Sequence, residues 1–284
     1  MRYGDFLSLC QRSPLPVCRL FGDVVLPTCH LNPYEAGDAY FVNLPDFVIS
    51  IIALLVTLYL GFRAHRRLDA VEIALLLTLF SVCLVLNIAG ADFIYVSTVK
   101  ANRWLGVVNT ALTISFFWAL MLTGFVGFQI MADGSFASIL SIVVSTAIVF
   151  IGFGFMAADT AFGISSGLKP KPSDPFYSPG LFTMYLVFPL VALVVYITAQ
   201  SIIVVKYLAV RLPLIWLFSS LVCFAVAQVL LFVASKKICT GSNGKIDGAF
   251  FATLLDSAAV FCIYGFWTSI TEDDTEEYEG GFKY

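Results

Sequence analysis

The sequence predicts an all-α integral membrane protein that folds as a bundle of seven transmembrane helices. Three observations support this prediction. Only 12% of the 284 residues are charged, compared with about 25% in soluble domains. Seven apolar runs are long enough to cross about 30 Å of hydrocarbon as helices. Stretches that contain charged residues, Pro or Gly separate these runs from one another.

The predicted spans divide the chain into three regions. An N-terminal segment rich in Cys and Pro covers residues 1–43, the bundle covers residues 44–267, and an acidic tail covers residues 268–284. Basic, Gly- or Pro-containing stretches such as "RAHRR" at 63–67 and "KKICTGSNGK" at 236–245 punctuate the bundle. The seven spans are expected at 44–62, 71–90, 104–130, 136–157, 181–205, 213–235 and 249–267.

The flanks of the first span predict the orientation. Residues 1–42 lack the apolar core of a signal peptide, so we expect the N-terminal segment to stay on the mature chain. Arg63, Arg66 and Arg67 follow the first span directly, while residues 20–43 contain no Lys or Arg. Positive residues favour the cytoplasm, and the first helix usually dominates. The count over the whole chain, ten Lys and Arg outside and six inside in this orientation, does not support it. The N-terminus is therefore predicted to be lumenal and the C-terminus, after seven spans, cytosolic.

Four cysteines outside the spans share one predicted compartment. Cys10, Cys18 and Cys29 lie in the N-terminal segment, and Cys239 lies in the loop after the sixth span, which faces the same side. An even set on one side indicates disulfides in an oxidising lumen, whereas the alternative is four free thiols in a reducing cytosol. Four cysteines allow three connectivities. The stiff loop "CQRSPLPVC" favours Cys10–Cys18, which leaves Cys29–Cys239.

Composition and motifs argue against several function classes. A net charge of −3 without a basic patch gives no reason to expect a nucleic-acid partner. "GISSG" at 163–167 matches G-x-S-x-G, but a hydrolase needs a strand before the serine and a helix after it, so Ser165 is interpreted as a loop residue. The spans contain no His for a catalytic metal, and the last span has no Lys for a Schiff base. We therefore predict no enzymatic activity, no metal and no cofactor.

Asp256 is the acidic residue placed deepest in a predicted span. An ionised Asp at a helix centre costs about 2.5–3.5 kcal/mol on insertion scales, so it needs a partner or must be neutral. Its partner is either an Asn or Gln of its own bundle, or a group on another membrane protein or a small solute. The other strongly polar side chains in the spans are Asn87, Asn109, Gln200 and Gln228.

The C-terminal tail is predicted to be disordered and cytosolic. "TEDDTEEYE" at 271–279 holds six carboxylates, which repel one another and cannot be buried. Asp274 and Glu276 form an acidic-x-acidic pattern that resembles cytosolic export signals read by the vesicle coat of the endoplasmic reticulum. The alternative is a solvated end that assists only topology and solubility.

Five blocks of sequence give the chain a wider resemblance. It resembles the fungal chitin synthase export chaperones, and the blocks extend from one end of the chain to the other. They are "GDFLSLCQRSPLPVC" at 4–18, "FFWALMLTGFVGFQIMADGS" at 116–135, "AQVLLFVASKKIC" at 227–239, "IDGAFFATLLD" at 246–256 and "WTSITEDD" at 267–274. The short tail and the Pro-rich loop at 169–179 depart from the family pattern.

The resemblance implies a multi-pass, non-catalytic protein of the endoplasmic reticulum membrane, surrounded by lipid. Such a protein binds a chitin synthase, promotes its folding and its export to the cell surface, and so supports cell-wall chitin synthesis; it either stays behind or travels with the synthase to the plasma membrane. Asp256 is then the candidate client contact, and Asp274 with Glu276 the candidate contact to the vesicle coat. Two other classes stay open: a seven-span receptor or small-solute transporter that uses Asp256, and a structural subunit of the mature synthase.

Overall fold

The computed structural model describes residues 3–21, 29, 31–32, 34–36, 39–41, 43–66, 71–89, 99–126, 136–165, 176–208 and 212–280. In these ranges the chain is overwhelmingly helical, which confirms the predicted all-α fold class. Six helical stretches are long and apolar enough to cross a membrane. A seventh apolar helix, Val71–Asn87, is shorter, with 17 residues. The count of seven spans and the orientation of the termini stay predictions.

The N-terminal segment has regular structure of its own. It contains helix α1 (Leu7–Cys10), a 3-10 helix (Pro16–Phe21), and strands β1 (Tyr34–Ala36) and β2 (Ala39–Phe41). The two strands pair antiparallel, with Tyr34 opposite Phe41. Within the described residues, this hairpin is the departure from the purely helical fold that the sequence predicts.

The bundle consists of α2 (Leu44–His65), α3 (Val71–Asn87), α4 (Val99–Val126), α5 (Phe136–Phe162), α6 (Pro179–Phe182), α7 (Phe188–Ile203), α8 (Leu212–Val229), α9 (Ser235–Gly241) and α10 (Gly248–Gly280). Short π-helical segments at Thr183–Val187 and Leu230–Ala234 join α6 to α7 and α8 to α9. The joined helices form continuous candidate spans, Pro179–Lys206 and Leu212–Gly241. Segments of this kind often occur at functional sites.

Two apolar clusters hold the bundle together. The larger one joins α2, α3, α4, α7, α8 and α10 around fully buried side chains such as Leu77, Leu120 and Leu217. The smaller one packs Phe6 and Val17 of the N-terminal segment against α4, α5 and α6. Between helices in a bilayer such side chains stabilise the bundle through van der Waals packing, because lipid tails are as apolar as the side chains themselves. The N-terminal segment is therefore an integral part of the folded bundle.

Hydrogen bonds place the N-terminal segment at one end of the bundle. The backbone N–H of Phe6 donates to the carbonyl of Phe176, next to the start of α6, at 3.1 Å. The backbone N–H of Asn32 donates to the carbonyl of Gly244, between α9 and α10, at 2.8 Å. The segment, the start of α6 and the α9–α10 turn therefore lie together, as an alternating bundle requires.

The structure differs from the prediction at the tail. Helix α10 continues to Gly280, so the backbone of the acidic stretch is helical where the sequence predicted disorder. The physical reason is that extending a helix adds one hydrogen bond per residue without the cost of a new nucleus. The packed part of α10 supplies that nucleus. The side chains of residues 272–280 lie outside the described part of the structure.

Candidate functional site

Two disulfides brace the end of the bundle that carries the N-terminal segment. The structure joins Cys10 to Cys18, with a Cα–Cα distance of 5.7 Å, and Cys29 to Cys239, with 6.2 Å. This is the pairing that the stiff proline-containing loop favoured. The second bond links positions 210 residues apart and ties the N-terminal segment to α9. Cys83, Cys223 and Cys262, on the apolar helices α3, α8 and α10, are free.

A cavity of about 470 Å³ lies inside the bundle, beneath the N-terminal segment. Helices α2, α3, α4, α7, α8 and α10 contribute to its wall, and Pro14, Leu15, Pro16 and Arg19 cover one end. The lining is mostly apolar, with a small number of polar side chains. Its size and composition are those of a small-molecule site, since such sites measure about 300–1,000 Å³ and have mainly hydrophobic walls.

Four of the five polar residues predicted in the spans meet at this cavity. Gln228 Nε2 donates to Asp256 Oδ1 at 3.4 Å, and Asn109 Nδ2 donates to Asn87 Oδ1 at 2.7 Å. Gln200 is not among the lining residues; its Nε2 donates to the carbonyl of Thr123 at 3.5 Å. Asp256 is eight residues after the start of α10, about 12 Å along the helix at 1.5 Å per residue.

A second polar group, at the rim of the cavity, escaped the sequence analysis. Thr253 Oγ1 donates to Asp46 Oδ1 at 2.7 Å, and Asn43 Nδ2 donates to Asp247 Oδ1 at 3.0 Å. The backbone N–H of Asp46 donates to Asn43 Oδ1 at 3.2 Å. The group therefore connects the start of α2 to the start of α10. Asp46 and Thr253 also line the cavity.

The sequence contains one signal for this rim group. Asn43 directly precedes the first predicted span and Asp247 lies two residues before the seventh, and Asn and Asp are preferred N-cap residues. In the structure Asp247 accepts hydrogen bonds from the backbone N–H groups of Ala249 and Phe250 at 3.1 and 3.4 Å. Burial raises the pKa of Asp247 above its ordinary value, and the hydrogen bonds from Asn43 and the backbone oppose that effect.

The "GISSG" stretch ends a helix. Gly163, with φ +64°, donates its backbone N–H to the carbonyl of Asp159 at 2.7 Å, an arrangement in which a left-handed Gly terminates α5. Ser165 Oγ donates to Asp159 Oδ2 at 2.8 Å, and the Ser165 backbone N–H donates to Asp159 Oδ1. The interpretation of Ser165 as a loop residue is confirmed. Its hydroxyl donates to the carboxylate of Asp159, which is fully buried and which the sequence analysis did not single out.

Helices α7 and α8 form one side of the cavity, and Leu190 on α7 and Phe224 on α8 are among its lining residues. These two helices touch little, whereas α8 packs extensively against α10 and α7 against α4. Leu190 is also 55% exposed on the outside of the bundle. A single side chain therefore lies between the cavity and the outer surface at this place.

Two further predictions concern the export signal in the tail and the absence of a metal site. The positions of Asp274 and Glu276 belong to α10, but their side chains lie outside the described residues, so the export signal stays a prediction. In the described part of the chain, no three His, Cys, Asp or Glu side chains converge in a way that could hold a metal ion.

Comparison with known proteins identifies relatives of the whole chain. The sequence model of the chitin synthase export chaperone family matches residues 2–280. A chitin synthase export chaperone of Chaetomium globosum is 30% identical, over 97% of this chain and 85% of its own length. The protein of the same name in Cryptococcus neoformans is 30% identical, over 97% of this chain and 76% of its own length.

A third relative gives a similar result. The chitin synthase export chaperone of Coccidioides immitis is 29% identical, over 97% of this chain and 85% of its own length. The matches include the N-terminal segment, the bundle and the start of the tail, in agreement with the five blocks that carried the resemblance. The chain therefore belongs to the chitin synthase export chaperone family.

Proposed function

We propose that this chain is a chaperone of the endoplasmic reticulum membrane that binds a chitin synthase, promotes its folding and allows its export to the cell surface. The observation that carries the proposal is the family match, which extends over residues 2–280. Relatives that align with 97% of the chain carry the name of this function. By this activity the chain supports the synthesis of cell-wall chitin without catalysing a reaction itself.

The outer faces of the bundle supply surfaces for a membrane client. Helix α5 exposes Ile148 and Ile151 at 65% and 69%, and α8 exposes Val222 at 59%. A polymer-handling client has spans with polar groups that are costly in lipid before the client is assembled. Apolar helices that pack against such spans lower that cost. Client spans bound in this way stay dispersed in the bilayer until they pack against one another.

Asp256 acts on client binding from inside the bundle. Its carboxylate lines the cavity, and α7 and α8 lie between that cavity and the outer surface where a client helix would pack. A client side chain inserted between these two helices, which make few contacts with each other, is the direct form of the contact. A change in the packing of α7 and α8 caused by the occupied cavity is the indirect form.

The two ends of the molecule have separate roles in this proposal. The disulfide-braced segment faces the oxidising lumen, since disulfides persist in that compartment. The acidic tail faces the cytosol, where Asp274 and Glu276 contact the vesicle coat. Six carboxylates at 272–279 offer charge-assisted hydrogen bonds, which are roughly twice as strong as neutral ones.

The test is depletion of the chain combined with co-purification. Tagged full-length protein isolated in mild detergent from an endoplasmic reticulum fraction should carry a chitin synthase, identified by mass spectrometry. Without the chain, the synthase should accumulate in that compartment. Normal arrival of the synthase at the cell surface would overturn the proposal.

A second experiment separates a chaperone from a structural subunit. The chain is degraded after the synthase has reached the surface, and synthase activity is then measured. Persistent activity supports the chaperone, because its work is complete by that stage. Activity that disappears with the chain would instead support a permanent subunit of the mature synthase.

A further inference from the structure

We propose that the cavity binds an amphiphile from the bilayer that carries a protonated amine on an apolar body, with the ammonium group paired to Asp256. The proposal rests on the cavity and not on the chitin synthase client, so it stands or falls separately from the proposed function. The size and apolar lining of the cavity, the charges of that lining and its aromatic side chains each support the proposal.

The cavity calls for an occupant that is mostly apolar. The cavity measures about 470 Å³, and an apolar occupant would add dispersion contacts to its lining. Apolar walls are poorly suited to a cluster of water, because each buried water needs several polar partners. Helices α7 and α8, which line the cavity, make few contacts with each other. A lipid-soluble molecule that enters between them finds a matching apolar surface.

The charges of the lining favour a cation. The charged residues that line the cavity are Arg19, Asp46 and Asp256, so the formal sum is one positive and two negative charges, or −1. Asp46 already accepts a hydrogen bond from Thr253 at 2.7 Å. Asp256 accepts one from Gln228 at 3.4 Å, close to the longest distance at which such a bond forms. Asp256 is therefore the carboxylate with capacity for a second, stronger donor.

The aromatic lining fits the same chemistry. An ammonium group near the face of an aromatic ring is attracted by the negative potential of the ring, and the attraction is stronger away from water. An ammonium group has three N–H donors, and the carboxylate of Asp256 and the amide oxygen of Gln228 can both accept hydrogen bonds from them. The aromatic residues of the lining are Phe80, Phe116, Phe117, Tyr185, Phe224 and Phe232.

Photo-crosslinking of the full-length protein in phospholipid nanodiscs tests the proposal. The probe is hexadecylamine with a diazirine on its chain, and its matched control is the hexadecanol of the same structure. Crosslinked peptides are identified by mass spectrometry, and the amine-to-alcohol ratio is measured at peptides of α7, α8 and α10. We expect the ratio in the native protein to exceed one by about tenfold, because hydrogen bonds to charged groups are the stronger kind.

Two variants show whether Asp256 is responsible. Asp256→Asn keeps the shape and an oxygen acceptor but removes the charge, and it should bring the amine-to-alcohol ratio close to one. Asp159→Asn changes a buried carboxylate that does not line the cavity, and it should leave the ratio unchanged. Size-exclusion chromatography of each variant confirms that it is folded and monodisperse.

Three outcomes would overturn the proposal. Equal labelling by the amine and the alcohol in the native protein would show that the cavity does not select a cation, and this result needs no variant. Crosslinks confined to the outer faces of the helices would show that the amphiphile does not enter. Labelling of the lining that disappears when purified client is added, with a client lysine crosslinked to Asp256 by a carboxylate-activating reagent, would assign the ammonium group to the client instead.

Discussion

Gln228 on α8 donates a hydrogen bond to Asp256 on α10 at 3.4 Å, and both side chains line the cavity inside the bundle. The sequence left two partners open for this aspartate, an amide of its own bundle or a group from outside. The structure supplies the first partner at a long distance. The position of Asp256 in the lining of a cavity is what keeps an external partner available.

Asp256→Asn should lower the recovery of the client while the abundance of the chain stays normal. The asparagine retains an oxygen acceptor for Gln228, so the internal hydrogen bond survives although the charge is lost. Asp256→Leu should reduce abundance as well, because a buried amide left without its acceptor costs about 1–3 kcal/mol. The measurements are quantitative co-purification of the synthase and immunoblotting of the chain. Normal recovery and abundance in both variants would leave Asp256 without a role.

The four paired cysteines should be oxidised in the native protein. Mass mapping without reduction should find Cys10–Cys18 and Cys29–Cys239 intact. Removal of a native bridge costs about 2–5 kcal/mol in small secreted domains, so Cys239→Ser should be retained or degraded. Cys223→Ser, at a free cysteine on α8, is the matched control and should be tolerated. Alkylation of Cys10, Cys18, Cys29 and Cys239 without prior reduction would contradict both the disulfides and the lumenal orientation.

Gly248→Ala should destabilise the junction between α9 and α10. A Cβ at this position would lie 2.6 Å from Ser235 Cβ and 2.7 Å from the carbonyl oxygen of Leu230, so the helix backbones must shift. Overpacking of this kind costs about 1–3 kcal/mol. Gly152→Ala has nothing within 4 Å of the added Cβ and serves as the control. Thermal unfolding in detergent measures both, and equal melting temperatures would contradict the close packing.

Asp247 should make the stability of the fold depend on pH. Its pKa is higher in the folded state than in the unfolded chain because burial disfavours the charged form. Below the unfolded value, about 3.9, the group is protonated in both states and has no effect. As the pH rises from there through the folded pKa, the folded state binds more protons than the unfolded state, so stability is lost.

The comparison that isolates this effect is the melting temperature of the native chain and of Asp247→Asn between pH 4 and neutral pH. Asn retains an acceptor for Asn43 and for the first turn of α10, since it is an equally good N-cap. The native chain should lose more stability than the variant as the pH rises. Parallel curves would show that Asp247 does not titrate differently in the two states.

Asp274→Ala combined with Glu276→Ala should trap the chain in the endoplasmic reticulum if these residues form an export signal. Two carboxylates at fixed spacing then bind a basic pocket on the vesicle coat through charge-assisted hydrogen bonds. The measurement is coat-dependent budding from isolated membranes. Glu277→Ala with Glu279→Ala removes the same charge from the same stretch and is the control. Wild-type budding of the first variant would favour a solvated tail instead.

The sequence by itself determined which segments are long and apolar enough to cross a membrane and that the fold is helical. The length and apolarity of a segment are local properties, so they can be read without knowing what the segment packs against. The first predicted span began at residue 44 and α2 begins at Leu44, since Asn43 caps it. Family membership was equally readable, because the blocks that carry it are contiguous in sequence.

Only the tertiary structure decided which polar residues meet. Asn87 and Asn109 come together with Gln228 and Asp256 around one cavity, whereas Gln200 does not line it, although all five look alike in sequence. A helix that is apolar on every side has no polar face to show which side turns inward. Apolar packing is non-directional, so the few contacts between α7 and α8, and the cavity beside them, follow from how the helices fit together.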